Sequence, residues 1–343
     1  MRESLQTICR RFLANRQLIR QVMKAESGYI YPVCANVFCA AGRDASAEQL
    51  LACKKLLKEK TGVFSNFRGN LRAPVVCMLA AGTHPEVRMD RALENYKMLR
   101  GRFRASQYLA LAAFLLTDLG AAGSHPEAID RSRVIYNLMK ARHPLLTASE
   151  DSVFAVFLAF SEKSDDELIE DMEECFGRLK KAFPTSNCLQ SVSHVLCMGP
   201  GRPEEKVARL TLLYNAIGRK GGKYGKYYEL STLAALSLLR GEIEAVAADV
   251  MEVDAFLAGQ KGYGGLGLDR KTRLMHAVML VTDDLMAQQQ PAACFSTVEE
   301  QTVSAALGSA PLTGTLALVV AQQAAMCAVM ASTAATSAAA SSH

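Results

Sequence analysis

Thr83-His84-Pro85-Glu86 opens a stretch, residues 83–116, that reads as one helical hairpin and recurs along the chain. A Thr followed three positions later by Glu is a capping box, and a Pro at the first helical position gives up no hydrogen bond. Met89, Leu93, Tyr96, Leu99 and Phe103 then fall at spacings of three or four, which is one apolar face of a helix. A turn follows at Ala105-Ser106. From 108 to 116 almost every residue is apolar, so the second helix is expected to be covered on more than one side. It is too short to cross a bilayer.

The pattern returns at Ser124-His125-Pro126-Glu127, at Ser164-Asp165-Asp166-Glu167, at Arg202-Pro203-Glu204-Glu205, at 242–254 and, upstream, at Ser46-Ala47-Glu48. The equivalent apolar residues are Leu57, Leu99, Met139, Leu179, Ile217 and Leu257, separated by 42, 40, 40, 38 and 40 residues. One such hairpin cannot bury its own apolar faces, and self-similarity at this period is the mark of stacked helical pairs. The expectation is an all-α protein, an α–α superhelix (solenoid) of about seven hairpins with a period near 40 residues. Residues 1–41 form an N-terminal capping hairpin in this reading, 42–286 six repeats, 287–331 C-terminal capping helices and 332–343 an Ala/Ser/Thr tail.

Half of the 343 residues are apolar and the net charge is +5, enough for a continuous core and compatible with an anionic partner. Strand alternation is scarce. The ten cysteines include no C-x-x-C pair and fall mostly in apolar helices, so buried reduced thiols in a cytoplasmic protein are expected, with no zinc site. Residues 1–26 form a charged amphipathic helix and no secretory signal. Such a basic helix can also lie on an anionic membrane. After Glu300 the remaining 43 residues carry no Lys, Arg, Asp or Glu. That segment reads as a cover for the last repeat, with a membrane anchor as its alternative. No membrane insertion and no cofactor are expected.

Motifs for catalysis are weak. His84 and His125 match in repeat position, but neighbouring repeats stand about 10 Å apart, too far for two ligands of one metal. Asp165-Asp166 and Asp283-Asp284 lack the third acid of a diphosphate-binding motif, with Ile169 and Ala287 in its place. The acids around Asp165 suit the first turns of a helix. The stretches 218–223 and 262–267 are glycine-rich but follow helices where nucleotide loops follow strands, so C-capping explains them.

Positive charge recurs just after each anchor residue: Lys58 and Lys60; Arg100, Arg102 and Arg104; Lys140 and Arg142; Lys180 and Lys181; Arg219, Lys220, Lys223 and Lys226; Lys261. Helix dipoles favour cations there, and parallel stacking would align them into a basic edge opposite an acidic one. The candidate partner-binding residues are Arg100, Arg102, Arg104, Lys180, Lys181, Arg219, Lys220, Lys223, Tyr224, Lys226 and Tyr227. Between 220 and 228 lysines interleave with tyrosines, a composition that also suits phosphate contacts with base stacking. The functional expectation is a non-catalytic scaffold that binds a protein or peptide. An all-helical enzyme assembled in the groove and a nucleic-acid or anion binder along the basic edge are the alternatives.

Three stretches, 95–99, 226–234 and 270–277, and the Ala-rich end resemble a bacterial family catalogued as domain of unknown function number four thousand and three, found mainly in Gram-positive anaerobes. The resemblance implies an all-helical cytosolic bacterial protein and assigns no functional residue.

Overall fold

The apolar periods become seven consecutive helical hairpins: α1 (Glu3–Val22) with α2 (Ile30–Ala40), α3 (Ala47–Lys60) with α4 (Arg72–Ala81), α5 (Pro85–Arg100) with α6 (Gln107–Asp118), α7 (Pro126–Arg142) with α8 (Asp151–Leu158), α9 (Asp165–Ala182) with α10 (Leu189–Cys197), α11 (Pro203–Arg219) with α12 (Glu229–Ser237), and α13 (Ile243–Ala258) with α14 (Arg270–Gln289). This computed structural model describes residues 1–24, 26–118, 126–183, 188–264 and 267–289. Among them the protein is all-α, with fourteen helices and no strand. The expected C-terminal capping helices beyond 289, the tail and His125 lie outside the described residues.

The two helix types do different work. Odd-numbered helices are amphipathic. Their anchor residues Leu57, Leu99, Met139, Leu179, Ile217 and Leu257 are at most 2% exposed, and Ile19 on α1 is equally buried. Even-numbered helices are enclosed on nearly every side, as their uninterrupted apolar sequences require.

Local signals set several ends. Ser164 caps α9: its hydroxyl accepts from Glu167 N–H while the Glu167 carboxylate accepts from Ser164 N–H, completing the capping box. Those bonds hold the Glu167 carboxyl below its ordinary range. Ser164→Ala should cost about 1 kcal/mol of unfolding free energy in a urea titration. The end of α11 is a Schellman turn, with Gly221 at φ 85°, Gly222 N–H donating to Ile217 C=O and Gly221 N–H to Gly218 C=O. The glycines of 218–223 therefore close a helix, as the sequence indicated. The Thr83 capping box does not form. His84 is the N-cap residue of α5, in the left-handed region at φ 48°, and makes no side-chain cap.

Order among the hairpins follows from the packing. α1 packs on α3, α3 on α5, α5 on α7, α7 on α9, α9 on α11 and α11 on α13. Among the even helices α2 packs on α4, α6 on α8, α8 on α10, α10 on α12 and α12 on α14. Neighbouring odd helices run parallel, since Arg131 reaches Asp165 near the starts of α7 and α9 while His143, just past the end of α7, reaches Glu173 further along α9. Within hairpins the direction reverses: Arg131 on α7 donates to Ala159 and Ser161 C=O past the end of α8, and Arg209 on α11 to Ser237 and Leu239 C=O at the end of α12. These guanidinium groups satisfy carbonyls that a helix end leaves orphaned.

The first hairpin is flanked on both sides. α14 packs against both α1 and α2. The Met1 ammonium pairs with Glu252 at 2.7 Å, and Arg2 bridges Asp249 at 2.7 Å and the buried Asp284 at 3.0 Å.

Candidate functional site

Because odd helices are parallel and each hairpin reverses, every connection from an odd helix to its even partner emerges on one face. The predicted basic residues lie in these connections or in the helix turn just before them, and a repeated aromatic contact builds the face. A loop aromatic after one odd helix packs on a ring one turn before the anchor of the next. Phe67 meets Tyr96 at 5.3 Å, Phe103 meets Tyr136 at 5.5 Å, and Phe183 meets Tyr214 at 5.1 Å, all edge to face. His143 takes the same place against Phe176 at 4.6 Å. Edge-to-face pairs are worth about 0.5–1.5 kcal/mol beyond burial. A double-mutant cycle on Phe103→Leu and Tyr136→Leu should return a coupling energy of about that size.

The contact recurs between α1 and the loop after α13. Tyr263, in the loop after α13, lies under the Arg16 guanidinium of α1 at 4.6 Å, and Arg16 donates to Lys261 C=O at 3.2 Å. Arg16 stands three residues before the buried Ile19, as Tyr96 stands before Leu99. The Tyr263 hydroxyl binds His276 Nδ1 at 2.9 Å, and the His276 ring lies 6.3 Å from Phe12.

The predicted basic residues divide into four groups. Some are already paired. Arg102 binds Asp130 at 2.5 Å, Arg219 binds Glu244, and Lys220 reaches Glu244 at 3.2 Å. Lys60 likewise binds Asp90 at 2.7 Å. Each cation at the end of one odd helix thus meets an acid in the first half of the next, because neighbours are staggered. The ends do not line up into separate basic and acidic edges. Asp130 and Glu244 are held below their ordinary carboxyl range by these partners. A second group covers aromatic rings: Lys180 lies over Phe176 and Lys226 over Tyr214, both still exposed. The third group is exposed and makes no ion pair among the described residues: Arg104, Lys181 and Lys223, with Lys58 and Arg142 beside them. The fourth, Arg100, is exposed and donates to Phe103 C=O.

Of the two tyrosines, Tyr227 is 54% exposed and Tyr224 only 4%. The Tyr224 hydroxyl binds Glu229 C=O at 3.0 Å and Thr232 Oγ1 at 2.7 Å, and burial pushes its phenol pKa up. Tyr224 is a strut under the loop, so it has no face to offer a base. The expectation for this residue is corrected. Gly225 permits the arrangement, since a Cβ there would stand 2.2 Å from the Glu229 carboxyl carbon.

Sequence reasoning missed the apolar tips. Phe64 is fully exposed, Val63 is 75% and Leu145 is 97% exposed. They project from the α3–α4 and α7–α8 loops, and Tyr227 projects from the α11–α12 loop. The signal was present: Val63-Phe64 sits between Gly62 and Ser65-Asn66, and Leu145 follows Pro144. These apolar residues stand in turns that no helical period explains.

Two buried polar clusters lie elsewhere. His194 Nδ1 is 3.4 Å from Asp151 Oδ1, though misaligned for a hydrogen bond, and both side chains are enclosed. Glu150 next to it is held above its ordinary range, first by burial. Asp283 on α14 is buried beside Asn36 without a well-formed hydrogen bond to either oxygen among the described residues, and burial drives its pKa up. No group of three or more His, Cys, Asp or Glu among the described residues is placed to hold a metal. None of the described helices is long and apolar enough to cross a membrane.

The Uncharacterized protein YeaA of Bacillus subtilis (strain 168) is 23% identical over 222 residues, 63% of this chain and 67% of the relative. No solved structure matches the chain. The family model described as Protein of unknown function (DUF4003) matches residues 16–324, and the protein belongs to that family.

Proposed function

We propose that the protein is a non-catalytic cytoplasmic binding platform in which seven hairpins, repeating at about 40 residues, close into a ring. Its working surface is the loop-bearing face, which engages an anionic partner. The closure reading is supported by the Arg16–Tyr263 contact, which occupies at the α13–α1 junction the place that Phe103–Tyr136 occupies inside the array. An open superhelix would leave α1 without a neighbour on that side.

One observation carries the functional reading. Val63-Phe64, Leu145 and Tyr227 are exposed on a single face among unpaired cations. Isolated exposed apolar side chains are ordinary on a soluble surface, as with Val134 and Leu212 on the helix flanks. Phe64 and Leu145, almost wholly exposed, with Val63 and the half-exposed Tyr227, share a face with Lys58, Arg142, Lys181 and Lys223 and form a surface suited to binding. The enclosed His194–Asp151 contact offers a substrate little access, which favours binding over catalysis.

A photo-crosslinking residue placed at 64, 145 or 227, and at 134 or 212 for comparison, tests the reading in cells. One defined adduct shared by the loop positions and absent from the flanks supports it. Equal labelling at both sets overturns it. A protein, a nucleic acid and a lipid are told apart by the mass and chemistry of the adduct.

A further inference from the structure

We infer that the occupant of the loop-bearing face is an anionic phospholipid bilayer, on which the ring lies flat. This rests on the functional reading above and names its partner.

Phe64, Leu145 and Tyr227 belong to the second, fourth and sixth hairpins. Their separations in sequence are 81 and 82 residues, two repeats each (145 − 64 and 227 − 145). In a ring of seven, every second hairpin puts three tips around the circumference instead of side by side. Three such points on one face define a plane. A protein interface needs a contiguous, well-packed apolar centre, which tips separated by whole hairpins do not provide. A bilayer meets each tip independently: the side chain passes the headgroups while neighbouring cations stay at the phosphates.

The charge distribution fits this occupant. The loops 61–68, 101–106 and 220–228 contain no Asp or Glu, and 143–150 and 259–269 hold one acid each, Glu150 and Asp269, at their far ends. Lys58 precedes the first tip, Arg142 the second, and Lys223 with Lys226 the third. Arg104 and Lys181 lie on the hairpins between, all exposed. The opposite connections, after the even helices, are mixed, with Asp44, Glu162 and Glu242 beside Arg43, Lys163 and Arg240. The exposed cations Lys58, Arg104, Arg142, Lys181 and Lys223, which make no ion pair among the described residues, therefore share one side with the apolar tips.

Flotation of the full chain with vesicles of equal parts phosphatidylglycerol and phosphatidylcholine, and with pure phosphatidylcholine, tests the inference. Binding to the anionic vesicles is expected, with little to the neutral ones. Phe64→Ser with Leu145→Ser should weaken it at least about tenfold, as should Lys181→Glu with Lys223→Glu. Val134→Ser with Leu212→Ser, on the flanks, should leave it unchanged. All of these side chains are exposed, so unaltered circular dichroism spectra are expected and establish that folding is intact. Absence of binding to the anionic vesicles, or equal binding by the loop and flank variants, overturns the bilayer as partner. A protein or RNA crosslinked at 64 and 145 with no vesicle binding would reject the bilayer and retain the working face. Equal crosslinking of loops and flanks would reject both.

Discussion

Lowering the pH from about 7 to about 4.5 should remove about 2–3 kcal/mol of folding stability through His276 alone. Burial holds this imidazole neutral, lowering its pKa from 6.5 to about 3, with Arg16 adding to the effect and Asp269 opposing it. The folded-state pKa lies below the unfolded one, so the unfolded chain takes up the proton first. The contribution is complete above about 6.5 and is lost as the pH falls toward 3. Asp283 works in the opposite sense: its raised carboxyl pKa favours the folded state as acid is added. The clean readout is therefore a difference. His276→Gln keeps an acceptor for the Tyr263 hydroxyl and removes the titration. Urea midpoints of the two proteins should diverge at high pH and converge as the pH drops below 6. Parallel pH profiles would mean that His276 is solvated, and with it the junction between α1 and α14.

The second large effect concerns a buried ion pair. Lys206 of α11 binds Asp171 of α9 at 2.8 and 2.9 Å, with the lysine side chain 3% exposed, and Lys163 binds the same carboxylate. Cys175 donates to Asp171 at 3.5 Å, and its thiol pKa is raised, chiefly by burial. Asp171→Ala leaves an ammonium enclosed without its anion, at an expected cost of about 3–5 kcal/mol. Asp171→Leu combined with Lys206→Met should recover most of that loss, because apolar groups of similar volume need no partner. Denaturant unfolding of the single and double variants measures both. A small loss in the single variant would show water at this contact.

Much of the architecture was legible in the sequence. Apolar spacing marked both helices of each hairpin, and the six anchors from Leu57 to Leu257 are all buried in the odd helices. The Ser164 box and the Gly221 turn are local chemistry, and they appear where the residues placed them. The Thr83 box does not, because the left-handed His84 moves the start of α5 one residue along. The flanking of α1 on both sides was not legible. It depends on Arg2 meeting Asp249 and on Arg16 meeting Tyr263, partners 247 residues apart in each case (249 − 2 and 263 − 16), and no periodicity reports such a pairing. The site was half legible. Composition located the cations, but the stagger between neighbouring helices decided that Arg102, Arg219 and Lys220 pair while, among the described residues, Lys181 and Lys223 do not. Interleaved Tyr224 and Tyr227 look alike in sequence, and only packing separates the strut from the tip.

Closure of the ring is tested most directly by carbodiimide coupling in the Arg2→Lys variant, which keeps a cation beside Asp249 and Asp284. The closed ring predicts that the substituted amine forms a zero-length amide with Asp249, recovered by mass spectrometry from monomeric protein. Coupling only to carboxylates near it in sequence, such as Glu3, with no link to α13 or α14, would contradict it.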